Sequence, residues 1–389
     1  MSSAIRDSST SHAVAAGVVT AVVGFSSSFA VVLTGLAAVG ASQGQAASGL
    51  AVVSLTMGLG CIVLSLAHRT PVTIAWSTPG AALLAGAAMP TAGWAGAVGA
   101  FVVAGLLYLL TAVIKPLGDW VARIPSAVAS AMLAGVLLTL CVEPFRALAA
   151  DPAAIAPVLV TWLVLLRVAR RWAVPGALLA AVVVIALAGE PLADGSLLPA
   201  LTWTAPAFDW RTTVALGLPL YLVTMTGQNI PGVAVLESFG FRAPLRSALT
   251  WAGTSTVITA PAGGFSINLA AISAALAAGP EAGPDRDRRW IAGLTCGVVY
   301  VLLAPLSVLV TSISASAPDG IIASVAGVAL IGTFAASASA ALSDERHREA
   351  GAVTFLVAAS GLSFVGISPA FWALVAGGVV LVALRLRAR

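Results

Sequence analysis

Thr256 to Leu269 reads T-V-I-T-A-P-A-G-G-F-S-I-N-L, deep inside an apolar chain. It is not an ordinary membrane helix. Thr254 to Thr259 is rich in β-branched residues, which favour extended backbone. Pro261, Gly263 and Gly264 then interrupt any helix running through, and an Ala-rich run to Ala278 reads as helix. The expected order is extended, break, helix, with the half-helix starting near Gly264. An earlier stretch does the same: Pro71 to Ser77 (P-V-T-I-A-W-S) is extended in character, Thr78 fits an N-cap with Pro79 as N1, and Ala81 to Ala88 is helical. Non-helical backbone cannot face lipid, because its polar groups would go unpaired. Two such breaks in corresponding places of two halves mark a transporter's binding site.

The surrounding chain fits that reading. It has 389 residues, 59% hydrophobic and 9% charged, with mean hydropathy +1.03. That composition describes a polytopic membrane protein. Residues 1–12 read as a polar cytoplasmic tail without a cleavage site, and 13–389 as a single membrane transport domain. The basic balance lies in short loops, which speaks for positive-inside topology and against nucleic acid. Cys61, Cys141 and Cys296 lie in separate apolar runs, with no spacing that suggests a metal site or disulfide framework. No cofactor is expected.

Runs of about 20 apolar residues give fourteen segments: 13–39, 46–66, 71–88, 92–114, 124–142, 153–169, 173–189, 212–236, 246–258, 259–279, 290–312, 319–342, 350–366 and 369–385. Segments three and ten are the broken ones, and segment nine is too short to span alone. With both termini cytoplasmic, only Arg146 and Arg211 of the 19 Lys and Arg fall outside. An error in the count would scatter the later charges onto both faces.

Three pairings recur at an offset of seven segments. Segments one and eight carry Gly24-F-S-S-S28 and Gly227-Q-N-I-P-G232; segments three and ten are both broken; segments five and twelve open on Pro125 and Pro318. An odd offset gives opposite orientations, hence a 7+7 inverted repeat, about 13–189 and 212–387.

W76-S-T-P-G-A-A-L-L-A-G86, T224-M-T-G-Q-N-I-P-G-V-A-V-L236 and I258-T-A-P-A-G-G-F-S-I-N-L-A-A-I272 resemble the benzoate:proton symporter family, BenE, over essentially the whole chain. More distantly the chain resembles the uracil permease and sulfate permease fold. That resemblance implies a core domain (segments 1–4 and 8–11), a gate domain (5–7 and 12–14), and short antiparallel strands from segments three and ten meeting at the midplane. It also implies a possible homodimer through the gate domain. Where nucleobase permeases carry Glu in segments eight and ten, this chain has Gln228-Asn229 and F265-S-I-N268. Loss of both acids suits an anionic substrate, which amide donors attract and carboxylates repel.

The site expected from these residues needs no Lys or Arg. Half-helix N-termini near Gly80 and Gly264 present unpaired N–H groups and partial positive charge. Thr78, Ser266, Gln228, Asn229 and Asn268 add polar groups, and Ser27 sits in the polar run that follows Gly24 in segment one. Phe25, Trp76 and Phe265 offer an apolar slot for an aromatic ring. The serines and amides serve equally well as bonds between helices. Glu237 is the candidate for proton coupling, against a plain helix-end charge near Arg242; a weak-acid substrate carrying its own proton needs neither. The expectation is an inner-membrane transporter of benzoate or a similar aromatic carboxylate with protons. The alternative is an uncoupled channel or facilitator for small anions. An intramembrane enzyme would need a cluster of His, Asp or Glu at membrane depth, and the sequence offers none.

Overall fold

In the computed structural model the described residues are 2–114, 116–118, 125–188, 199–362, 364 and 369–387. Lys115, Arg123, Arg389, the loop residues 190–198 and the expected ends of segments five, seven and thirteen lie outside them. Seven helical stretches among the described residues are long and apolar enough to cross a membrane.

Segment one is two helices, Ser2–Ser26 and Phe29–Ala38, parted at Ser27 and Ser28. The first helix thus begins well inside the expected polar tail. Segment two, Gln43–His68, opens on a capping box: Ser42 accepts from Gln45 N and Gln45 accepts from Ser42 N. Segment three is strand β1, Ile74–Trp76, then half-helix Thr78–Ala85. Its cap is Ser77, one residue before the expected Thr78. Segment four is Gly93–Val113. Segments five to seven are Ser126–Ala150, Pro152–Val168 and Ala173–Ala188.

Segment eight runs over 210–238 and contains two π-helical turns, Thr213–Gly217 and Met225–Asn229. Segment nine is helix Leu245–Thr259. Segment ten is strand β2, Ile267–Leu269, then half-helix Ile272–Ala278. Segment eleven joins Trp290–Leu303 to Ser307–Ala315 through a 3-10 turn. Segments twelve to fourteen are Ile321–Ser343, Arg348–Ala359 and Pro369–Arg387.

One expectation is overturned. Thr254 to Thr259 is helical, and the extended run follows the glycines instead of preceding them. The half-helix starts at Ile272, not near Gly264. The reason is the solvent: in lipid a helix satisfies its own backbone, and this outweighs β-propensity. Thr259 Oγ1 also bonds back to Ser255 O at 2.7 Å, so its hydroxyl is satisfied within the helix. The turn comes at Gly263, whose φ of +90° is left-handed backbone suited to glycine. Segments three and ten therefore share one order, strand then half-helix.

Small residues let the helices touch. A Cβ on Gly253 would stand 2.7 Å from Gly105 O, where segments nine and four meet, and one on Gly58 2.7 Å from Gly297 O, between segments two and eleven. Segment five packs along twelve and thirteen, thirteen along fourteen, and six along seven. Segment one lies against eleven.

Candidate functional site

β1 and β2 pair antiparallel, with Ile74 opposite Leu269, Ala75 opposite Asn268 and Trp76 opposite Ile267. Ser77 N to Ser266 O and Ala270 N to Thr73 O, both 2.9 Å, extend the ladder. Two three-residue strands leave free edges, which a membrane protein must satisfy internally. Segment two does this for β1: Ile74 N donates to Cys61 Sγ at 3.0 Å, and Ser65 Oγ to Val72 O at 3.1 Å. Segment eight does it for β2: Leu269 N donates to Asn229 Oδ1 at 3.0 Å.

Segment eight reaches further. Gln228 Oε1 accepts from Ala271 N at 3.2 Å, at the head of the second half-helix. Two adjacent residues of a regular helix point about 100° apart. The π turn at Met225–Asn229 is where both reach the same strand-to-helix junction. The backbone donors fix the amide orientation of both side chains. Gln228 Nε2 has no hydrogen-bond partner among the described residues and remains a donor.

Behind the strands lies a buried hydroxyl cluster. Ser77 Oγ accepts from Gly80 N at 3.0 Å and pairs with Thr224 Oγ1 at 2.6 Å. Tyr108 OH donates to Ser266 Oγ at 3.0 Å. Ser77, Thr224, Tyr108 and Ser266 are all fully buried. These groups lock the junction and are closed to a ligand.

In front of the strands is a cavity of about 80 Å³. Ser27, Trp76, Thr78 and Gln228 line it, as do Ser273 of the second half-helix and Tyr300 of segment eleven. Trp76 Nε1 donates to Ser28 Oγ at 2.8 Å, and the Phe25 ring lies 5.2 Å from Trp76. Among the described residues no Asp, Glu, Lys, Arg or His lines the cavity. Its polar groups are hydroxyls, the Gln228 amide and the first turn of half-helix Thr78–Ala85, where Pro79 has no N–H and those of Gly80 and Ala81 are taken by Ser77, so that the helix dipole is what favours negative charge. The volume is below the roughly 150 Å³ of an apolar cavity that takes benzene.

Four of the expected side chains, Ser27, Trp76, Thr78 and Gln228, thus come together, with Phe25 packed behind Trp76. Gly80 sits inside its half-helix, where a Cβ would stand 2.7 Å from Ser77 Oγ. Asn229, Gly264, Ser266 and Asn268 belong to the frame. Asn268 Nδ2 donates to Leu269 O at 3.0 Å, and its buried Oδ1 has no partner. Phe265 is fully buried, 6.3 Å from the ring of Phe101, away from the cavity. Glu237 is exposed near the end of segment eight, away from the cavity. Sequence reasoning missed Ser273 and Tyr300. Ser273 falls on the second half-helix, whose start was placed too early. Tyr300 lies in an otherwise plain apolar run; its nearness to Gly24, where a Cβ would stand 2.5 Å from the hydroxyl, is set by packing alone.

The family described as benzoate membrane transport protein matches residues 7–383. This chain belongs to that family. It is an integral membrane transporter and not an enzyme. Inner membrane protein YdcO of Escherichia coli (strain K12) is 36% identical over 378 residues, 95% of each chain. The benzoate membrane transport protein of Acinetobacter baylyi (strain ATCC 33305 / BD413 / ADP1) is 31% identical, covering 84% of this chain and 83% of its own. Among solved structures, the transmembrane domain of the cyanobacterial bicarbonate transporter BicA superposes with a TM-score of 0.58 at 16% identity, over 96% of each chain. The murine anion transporter Slc26a9 in its inward-facing state gives 0.63 at 12% identity, over 96% of this chain and 68% of its own. At such identities the likeness is one of fold: the transporter has the 7+7 inverted-repeat architecture.

Proposed function

We propose that this transporter imports benzoate or a similar aromatic carboxylate together with protons across the inner membrane, with both termini cytoplasmic. The observation that carries the reading is the donor-rich, acid-free cavity at the strand crossing. A helix N-terminus, the Gln228 amide hydrogens and the hydroxyls of Thr78, Ser273 and Tyr300 suit a carboxylate. The Trp76 ring, backed by Phe25, suits an aryl group. Family membership and the Acinetobacter relative's description point the same way. Access alternates as segments 1–4 and 8–11, the core, move against segments 5–7 and 12–14, the gate. That motion would widen the cavity, which at about 80 Å³ is too small for an aryl group. Among the described residues no Asp, Glu, Lys, Arg or His lines the cavity, so no coupling carboxylate or imidazole stands beside the proposed substrate site.

Uptake of labelled benzoate by proteoliposomes, with and without an inward proton gradient, tests this. Gradient-driven accumulation that an uncoupler abolishes is the expected result, read against protein-free liposomes because benzoic acid crosses bare lipid. Uptake above that control that ignores the gradient and never runs uphill would make the protein a facilitator instead.

A further inference from the structure

A second cavity, of about 260 Å³, opens beside the first helix of segment one. His12 and Val19 line one side of it, Arg171 from the turn before segment seven another, and Leu276 and Glu281 a third. Leu276 also lines the central cavity. It lies three residues after Ser273, on the same face of the half-helix Ile272–Ala278. That half-helix thus runs from the central cavity at Ser273 to the second cavity at Leu276, and the turn after it adds Glu281. Its far end is anchored: Arg289 Nη1 donates to Ala278 O at 2.8 Å and Arg289 Nε to Gly283 O at 3.0 Å.

Among the described residues no cation lines the central cavity, but the second one has Arg171, with Nη1 3.4 Å from Glu281 Oε2. The two side chains are 57% and 65% exposed. Such a pair is weak, so an arriving carboxylate can compete with Glu281 for the guanidinium. A cleft bearing a basic group also concentrates anions at its mouth.

We infer that this cavity is the portal of the transport path on the N-terminal face, with Leu276 the partition from the central cavity and Arg171 a second, transient site for an organic carboxylate. The inference rests on the transport reading above, and the experiment has one arm that needs no substrate. In the Leu276→Cys variant, a charged, membrane-impermeant methanethiosulfonate should react in inverted vesicles at least several-fold faster than in right-side-out ones. The parent protein, whose three cysteines are buried, gives the background. Reaction only from the opposite face, or none above background, would overturn the portal.

The second arm measures half-saturating benzoate at each face in oriented proteoliposomes. Arg171→Gln should raise the value about fivefold at the N-terminal face alone, the scale of one exposed ion pair. Glu281→Gln should lower it there, because Arg171 loses its competitor. Equal effects at both faces, or effects of the same sign, would overturn the role of Arg171. A parent protein that does not move benzoate would overturn the proposed substrate, and the labelling arm would still decide the portal.

Discussion

Gln228 shows how one side chain holds the frame and serves the cavity. Its oxygen accepts from Ala271 N, and its amide hydrogens are left for a ligand. Replacement by Glu keeps the acceptor and places a negative charge where the proposed substrate binds. We expect Gln228→Glu to lower the unfolding temperature, because a buried carboxylate without a cation is costly, and benzoate affinity to fall tenfold or more, about 1.4 kcal/mol; unchanged uptake kinetics would remove Gln228 from the site. Asn229 differs, since its oxygen satisfies the buried Leu269 N–H. Asn229→Ala strands that donor, at a cost of about 1–3 kcal/mol, and should show as a lowered unfolding temperature. Glu237→Gln should leave proton-driven accumulation intact. Loss of accumulation with counterflow retained would instead make Glu237 the coupling residue.

Among the elements, the start of segment eight and the turn into β2 carry separable predictions. Asp209 caps segment eight, its Oδ2 accepting from Thr212 N and Thr212 Oγ1, both at 3.0 Å. The Thr212 backbone N–H holds its carboxyl below the usual range. A depressed folded-state value means the cap contributes fully above the ordinary carboxylate range, near pH ~4, and fades as pH falls through the lowered value. Asp209→Ala should therefore lower the unfolding temperature at pH 7, with the gap to the parent closing in strong acid. A gap constant with pH would mean the carboxylate is not what caps the helix. At the turn, Gly263 combines left-handed backbone with contact: a Cβ would stand 2.9 Å from Gln45 O. Gly263→Ala should cost more than about 1 kcal/mol and loosen the strand crossing; thermal unfolding and uptake together would show it.

Across the whole molecule, the proposed mechanism has the core slide past the gate. Gly227 sits on that boundary: a Cβ there would stand 3.4 Å from Pro79 and 3.6 Å from Leu133 of segment five. Ala fits at ordinary van der Waals distance, whereas Leu would wedge the two bodies. Gly227→Ala should transport normally, and Gly227→Leu should lose most uptake while still binding benzoate, as read by thermal stabilisation. Normal uptake in Gly227→Leu would show that the moving boundary lies elsewhere.

The sequence by itself determined the membrane class, the fourteen segments and the two broken ones, because hydropathy, Pro and Gly act locally and lipid forbids unpaired backbone. Glycines at one offset, such as Gly135 and Gly327, also mark contacts: a Cβ on the first would stand 2.7 Å from Phe355 O, and one on the second 2.5 Å from Leu140 O. The absence of acid around Gln228 and Asn268 was legible too, being a matter of residue type. Only the tertiary structure decided where segment ten turns, since β-branched threonines read as strand until the solvent is taken into account. It alone decided that Ser273 and Tyr300 face the cavity while Phe265 does not, for that depends on helix rotation and on neighbours far away in sequence. The π turn that brings Gln228 and Asn229 to one junction is likewise a product of packing, chosen because β2 and its half-helix bring backbone donors that segment eight must satisfy.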